Sequence, residues 1–438
     1  MNKNLIEQDL KHVWHPCSQM KDYENFKPII VDSAKGSHIY LSNGTKIIDA
    51  ISSWWCKPLG HNHPRLKQAL LKQADKFEHV ILANTTNQTL VNFSGKLTAI
   101  IPSLSKILFA GDGSCAVEMA LKLSVHAHLI QGKTKKTKFA CLTNAYHGET
   151  TATLSVSDIG IYKKYYKSMM FDAYVINDIP YVSGMSDPLW QDCSFHWQKI
   201  KKYLEKHKDS ISAVIVEPIL QGSGGMRIYS ADLLKKLSKW TKENGIYLIA
   251  DEILTGLGRT GKMLACQYAN IEPDFLCLAK GLTAGWLPCS VTMTSDDIYQ
   301  LFYDDYTNGN NFLHSHTHSG NALALAVASE VLDILEEESY CQKAARLEQK
   351  MRTAFEEIAN TTKKLKNVRA IGGVAAADLI CPENSRTGYE IYKVAVKKGA
   401  LLRPLGNTIY WFPPLNIDDK TLEQLKHITH DSILEILG

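Results

Sequence analysis

Residues 247–280 read YLIADEILTGLGRTGKMLACQYANIEPDFLCLAK. Two apolar runs, YLIA and DFLCLA, bracket this stretch, and each ends on charge: Asp251 with Glu252 after the first, Lys280 after the second. A short apolar run without alternation predicts a strand covered on both faces. A charge at the end of such a run sits where water is scarce, so it needs a partner or a use. In open α/β sheets, ligands bind beyond the carboxyl ends of the strands. The acid and the lysine are therefore expected at one such edge.

The same texture continues outward. ILFA (107–110), FACLTN (139–144), AVIVEP (213–218) and CSVTMT (289–294) are further uniformly apolar runs. Between them lie helix-like segments such as AVEMALKLSVHAHLI (116–130) and ADLLKKLSKWTKENG (231–245), the latter closing on Gly as helices often do. Strand, helix, strand in this order predicts an α/β fold with a mostly parallel central sheet flanked by helices. After ALALAVASEVLDILEEE (322–338) the texture changes. GGVAAADLI (372–380), a helical TGYEIYKVAVKKG (387–399) and TIYWF (408–412) predict a smaller α+β domain. VDSAKGSHIYLSNGTKIIDA (31–50) reads as a hairpin with an SNG turn that joins that domain. The expected division is an N-terminal segment 1–60, a large domain 61–330 and a small domain 331–438.

Composition narrows the function classes. The chain has 438 residues, 45% hydrophobic and 21% charged, which excludes wholesale disorder and allows a substantial core. Lys plus Arg is 49 and Asp plus Glu is 45, a net charge of +4, so neither a nucleic-acid nor a membrane partner is expected. The 10 cysteines are scattered with no C-x-x-C pair, as in a reduced cytoplasmic protein. The N-terminus lacks an apolar signal core, and no run reaches the ~18 apolar residues of a membrane helix.

The strand ends carry candidate chemistry. GDGSCAVE (111–118) can offer the N–H groups of Gly111, Gly113 and Ser114 to a phosphate at a helix start, or be an ordinary glycine turn with a serine cap. In AYHGET (145–150), Tyr146 and His147 can face a planar ligand or simply pack. Asp251 and Lys280 can pair as a surface salt bridge, or Lys280 can be a buried, nucleophilic amine. Together, a phosphate cup, a stacking ring, an acid and a reactive lysine are what pyridoxal 5'-phosphate requires. Three other patterns compete. GLGRTG (256–261) mimics dinucleotide and P-loop fingerprints, but DEILT separates it from its strand and Met263 stands where a P-loop needs Ser or Thr. GKT (132–134) lacks the first P-loop glycine, which is Ala127. HSHTH (314–318) alternates histidines as a zinc site can, without an acidic or Cys ligand nearby, and no metal is expected.

Over nearly its whole length the chain resembles the class III aminotransferases, which are fold-type I pyridoxal-phosphate enzymes. The segments that carry the resemblance are HVWHP (12–16), SSWWCKPLGHNHP (52–64), GDGSCAVEMALKL (111–123), AYHGET (145–150), VEPILQGSGGM (216–226), ADEILTGLGRTGKM (250–263), LAKGLTAGWLP (278–288), HTHSGNALA (316–324) and LLRPLGNTIYWFPP (401–414). The resemblance implies that Lys280 binds the cofactor covalently, Asp251 meets its ring nitrogen and Tyr146 stacks on the ring. It also implies that Gly113 and Ser114 hold the phosphate, that Thr317 reaches the phosphate of a neighbouring subunit in a homodimer with shared sites, and that Glu217 and Glu149 support the site. Arg403 is expected to bind a substrate carboxylate, with Trp54, Trp55, Tyr410 and Ser315 as further substrate contacts. The double Trp and RPLGNTIY resemble the biotin-forming branch of the class. That branch implies amino transfer to 8-amino-7-oxononanoate, giving 7,8-diaminononanoate, with S-adenosylmethionine as donor. Two departures bear on the donor. Cys17 stands where the branch often has Tyr, and Ser315-His316 replace Gly-Pro, so lysine is the alternative donor. A general ω-aminotransferase acting on ornithine or γ-aminobutyrate is the second reading, and a P-loop or dinucleotide-binding protein the reading from another class. The purified protein is expected to be yellow and to bleach with an amine donor; nucleotide binding without colour would favour the last reading instead.

Overall fold

The structure is a computed structural model and describes residues 2–438. Seven strands form the central sheet: β1 (Lys106–Ala110), β2 (Lys138–Leu142), β3 (Tyr174–Ile176), β4 (Ile211–Val216), β5 (Tyr247–Asp251), β6 (Phe275–Leu278) and β7 (Ser290–Thr294). Their spatial order is β1-β7-β6-β5-β4-β2-β3. The β3-β2-β4-β5-β6 pairings are parallel, while β7 lies antiparallel between β6 and β1. The mostly parallel sheet expected from the apolar runs is present, with CSVTMT as its reversed strand. Every residue of β4, β6 and β7 is buried, so the lack of alternation reflects helices on both faces. The helix Gly113–Ile130 covers one face; its N-cap is Asp112, whose side chain accepts from Cys115 N at 3.0 Å. The helix Ala231–Glu243 follows β4 and is capped by Ser230.

The chain ends meet beside this sheet. Strands Val31–Lys35, His38–Leu41 and Lys46–Asp49 form the hairpin arrangement expected around the SNG turn, and Ala400–Leu401 adds to it in parallel, with Leu401 opposite Asp49. Leu365–Ile371, Val374–Leu379 and Thr408–Trp411 make a second, antiparallel sheet. A small sheet of Tyr181–Val182, Leu220–Gln221 and Arg227–Tyr229 has no counterpart in the sequence reading, because two- and three-residue strands carry no period to detect. One apolar core runs from Ile48 through Phe93 and Leu276 to Ile433 and ties the N- and C-terminal elements to the central sheet.

The GLGRTG segment is a run of turns with no α-helix directly behind it; the next element is the short 3-10 helix Ala265–Tyr268. It therefore lacks the helix N-terminus that a nucleotide fingerprint supplies. Its role is to join layers. Arg259 is buried, donates to the carbonyls of Gly373 (3.1 Å) and Pro413 (2.8 Å), and stacks 3.9 Å over Phe412. Gly372, in the turn of the 365–379 hairpin, has φ +52, and a Cβ there would lie 2.2 Å from the Thr260 backbone carbon. Gly372→Ala is expected to cost about 2–3 kcal/mol through backbone strain and this clash. A lowered midpoint in thermal or denaturant unfolding is the check.

Candidate active site

A cavity of about 440 Å³ opens at the carboxyl edge of the sheet, lined among others by Gly113, Ser114, Tyr146, Glu217, Asp251 and Lys280. A side pocket of about 130 Å³ shares Trp55, Tyr146 and Lys280 with it and adds Trp54, Arg403 and Tyr410. Sequence order thus converges on one edge: β1 leads to Gly113, β2 to Tyr146, β4 to Glu217, β5 to Asp251 and β6 to Lys280. Ser315 and Thr317 are the expected site residues not brought in. Both are exposed and line neither space; the Thr317 carbonyl lies 2.8 Å from His79 Nε2.

The two carboxylates after YLIA part company. Asp251 faces the cavity; its Oδ2 lies 2.7 Å from His147 Nδ1, and Oδ1 accepts from Ile253 N at 3.2 Å. Glu252 points the other way and accepts from Ala265 N at 2.6 Å and Cys266 N at 2.8 Å, pinning the turn-rich loop. Burial pushes the Glu252 carboxyl up to about 7 against those bonds. Glu217 accepts from Tyr146 N at 3.0 Å and Gly222 N at 2.8 Å. Burial, helped by the charge of Asp251 and opposed by His147 and these bonds, pushes Glu217 up to about 7. His147 Nε2 is buried with no hydrogen-bond partner, a polar atom left over inside the cavity wall.

Lys280 lies two residues beyond the last ladder residue of β6, at φ +41, a strained conformation for a residue with a side chain. Burial lowers its pKa below the ordinary 10.5, although Asp251, Glu217 and Cys56 pull the other way. Its ammonium lies 5.3 Å from the Trp55 ring. Trp55 Nε1 donates to Tyr410 Oη at 3.0 Å, and both side chains are buried. Tyr146 Oη donates to Glu149 Oε1 at 2.8 Å, which holds the ring at the cavity wall; burial, then Glu149, pushes this phenol well above its usual range. Arg403 donates from Nη2 to the Cys17 carbonyl at 2.7 Å and stacks 4.6 Å over Trp54.

The donor set fits a phosphorylated pyridine aldehyde. An amine with lowered pKa suits carbonyl attack, a buried carboxylate suits a pyridinium, and a capped helix start with Gly113 and Ser114 suits a phosphate. The cradle is tight by construction: a Cβ on Gly113 would meet Ile253 at 2.8 Å, and one on Gly148 would meet Ser114 Oγ at 2.1 Å.

A family model for class III aminotransferases matches residues 19–433. The chain belongs to the class III aminotransferases. As a member of that class it is a pyridoxal-phosphate-dependent aminotransferase of fold-type I. Among curated class III relatives, the adenosylmethionine-8-amino-7-oxononanoate aminotransferase of Helicobacter pylori is 39% identical over 97% of this chain and 95% of its own. The enzyme of that name from Aquifex aeolicus is 34% identical over 95% and 94%. Among solved structures, the Methanocaldococcus jannaschii enzyme of the same name superposes with TM-score 0.90 at 31% identity, covering 100% of both chains. A PLP-bound amine transaminase from an uncultivated Pseudomonas species superposes with TM-score 0.89 at 26% identity, covering 97% of this chain and 99% of its own.

Sequence reading missed one part of this class III site and one buried carboxylate beneath the turn that carries Trp54 and Trp55. His147 was seen only as an aromatic face, whereas its ring nitrogen meets Asp251. Asp49, with 0% exposure, was not singled out, although KIID ends on a carboxylate just as YLIAD does. That signal was present. Incubation with pyridoxal phosphate, borohydride reduction and peptide mapping are expected to label Lys280. Attachment is expected to rise with pH and to level off earlier than for a free lysine side chain, because the neutral amine is the nucleophile and burial lowers its pKa. A label confined to other lysines would contradict the site.

Proposed function

We propose that this aminotransferase carries an amino group to the C7 ketone of 8-amino-7-oxononanoate, giving 7,8-diaminononanoate in biotin formation. S-adenosylmethionine is the proposed donor. The observation that carries the reading is the full-length likeness to relatives of that name, joined to a side pocket in which Arg403, Trp54, Trp55 and Tyr410 stand together. Pyridoxal phosphate, when bound, supplies an electron sink for the pair left when the amine carbon loses its proton. Lys280 would hold it covalently and, once displaced by the donor, act through Nζ as the base that takes that proton and the acid that returns it. Asp251, kept in place by His147, would keep the pyridine nitrogen protonated. Tyr146 would pack on the ring, Glu217 would support it from behind, and Gly113 and Ser114 would take the phosphate.

Arg403 would bind the carboxylate of the keto acid, since a planar guanidinium matches it with two hydrogen bonds. The two indoles and Tyr410 would cover the aliphatic chain. Glu149 offers a carboxylate to a cationic donor, with Cys17 Sγ 3.8 Å from its Oε1. Cys17, where the branch often has Tyr, changes what a donor meets beside Glu149, and lysine is the second reading of the donor.

The proposal includes a homodimer in which Thr317 and Ser315 serve the neighbouring subunit's site. Supporting it, neither lines the cavity of its own chain, and two apolar side chains face solvent close by: Leu313 (83% exposed) on the same segment and Ile81 (65%) two residues from His79, which meets the Thr317 carbonyl. It keeps the domain division at about residues 60 and 330 and a cytoplasmic location. The 10 cysteines are free, as a reducing compartment favours, and no described helix is long and apolar enough to cross a membrane.

Two measurements test the reading. In half-reactions followed by the cofactor's absorbance, adenosylmethionine is expected to convert the enzyme; conversion by lysine alone would reassign the donor, and by neither would refute this branch. Arg403→Ala is expected to raise KM for the keto acid about tenfold or more while changing the donor half-reaction far less. Equal losses on both sides would remove its role.

A further inference from the structure

Ser52, Ser53, Trp54 and Trp55 have φ of 49°, 47°, 80° and 71°. Four consecutive residues with side chains thus lie in the left-handed region, and the turn closes through Trp55 N to Ile51 O (2.9 Å) and Cys56 N to Ser52 O (3.0 Å). Left-handed helical backbone is unfavourable for an L-residue, so something must hold this turn.

The holder is Asp49. Its Oδ1 accepts from Ser53 N at 3.0 Å and Ile51 N at 3.3 Å; its Oδ2 accepts from Ser53 Oγ at 2.7 Å and lies 2.7 Å from His61 Nε2. Both oxygens of a buried carboxylate are therefore spent on the turn and on one histidine. His61 is fixed in turn by backbone bonds to Gly36 at 2.8 and 3.0 Å. Burial pushes the Asp49 carboxyl up, but the bonds from His61 and Ser53 outweigh it and leave the pKa below the usual value.

The turn decides where an indole stands. Trp55 has an anchor of its own in Tyr410. Trp54 is 41% exposed and has no hydrogen bond from its indole among the described residues, so the backbone beneath it sets its position. That position is 4.6 Å from the Arg403 guanidinium. Asp49 and Arg403 also share a sheet edge, since Leu401 pairs with Asp49 two residues before the arginine.

We propose that Asp49 is a positioning residue for the substrate carboxylate: it holds the Ser52–Trp55 turn left-handed, and so keeps Trp54 as the platform against which Arg403 is aimed. This rests on Arg403 binding that carboxylate, as proposed above. Two things follow. Removing the carboxylate weakens keto-acid recognition more than donor chemistry. Glycine, which adopts positive φ without a Cβ penalty, substitutes for part of what Asp49 does.

The test uses the holoenzyme and both half-reactions. Asp49→Ala is expected to raise KM for the keto acid about tenfold, with the donor half-reaction changed about twofold or less. Adding Ser53→Gly to Asp49→Ala is expected to recover more than half of that loss on a logarithmic scale. If Asp49→Ala yields no soluble holoenzyme, Asp49→Asn, which keeps one acceptor for the Ile51 and Ser53 amides, is expected to raise the same KM by a smaller factor. An unchanged KM, an equal fall in both half-reactions, or no recovery with Ser53→Gly would overturn the assignment. If Arg403→Ala left KM unchanged, the underlying reading would fail instead, so the two failures are distinguishable.

Discussion

Two carboxylates and one amine are taken out of water at a single sheet edge, and the rest of the site is arranged around that. Lys280, Asp251 and Glu217 line one cavity, each reached from a different strand. Desolvation works against buried charge. The protein answers with specific partners: His147 for Asp251, the amides of Tyr146 and Gly222 for Glu217. Lys280 is left with its two acids as distant balance and an indole face nearby. That asymmetry is useful. An amine that loses its proton readily can attack a carbonyl.

The parallel sheet makes this convergence possible. Parallel strands deliver their carboxyl ends to one side, so residues from 113 to 280 meet without any long excursion. The one reversed strand, β7, sits between β6, which leads to Lys280, and β1, which leads to the Gly113 helix start. Backbone strain is also present around the cavity. Lys280 has positive φ, as do four residues in succession at 52–55. Such conformations persist only where the surroundings over-determine them, and here Asp49 and Tyr410 visibly do so.

The second sheet system has a different task. The N-terminal strands, completed by Ala400–Leu401, carry the Trp pair and Arg403 to the side pocket. Arg259 bridges the two systems by hydrogen-bonding carbonyls of the C-terminal elements from a loop that Glu252 anchors. The main cavity and the side pocket are thus built by different parts of the fold and meet at Lys280, Tyr146 and Trp55.

Much of this was legible in one dimension. Uniform apolar runs gave the strands, because burial on both faces removes alternation, and charges at their ends marked Asp251 and Lys280. The apolar pattern alone could not say which of Asp251 and Glu252 faces the cavity; only the family resemblance pointed to Asp251. Neighbouring residues leave a strand on opposite sides, and only packing decides which side is which. Nor could it show that β7 runs backward, since direction leaves no trace in composition. The histidine on Asp251 and the aspartate under the tryptophan turn act through contacts between distant segments, and tertiary structure alone brings those together. What the sequence by itself determined is the inventory of reactive groups and the sheet edge that gathers them; the tertiary structure decided their facing, their partners and their strain, because those depend on distances between residues far apart along the chain.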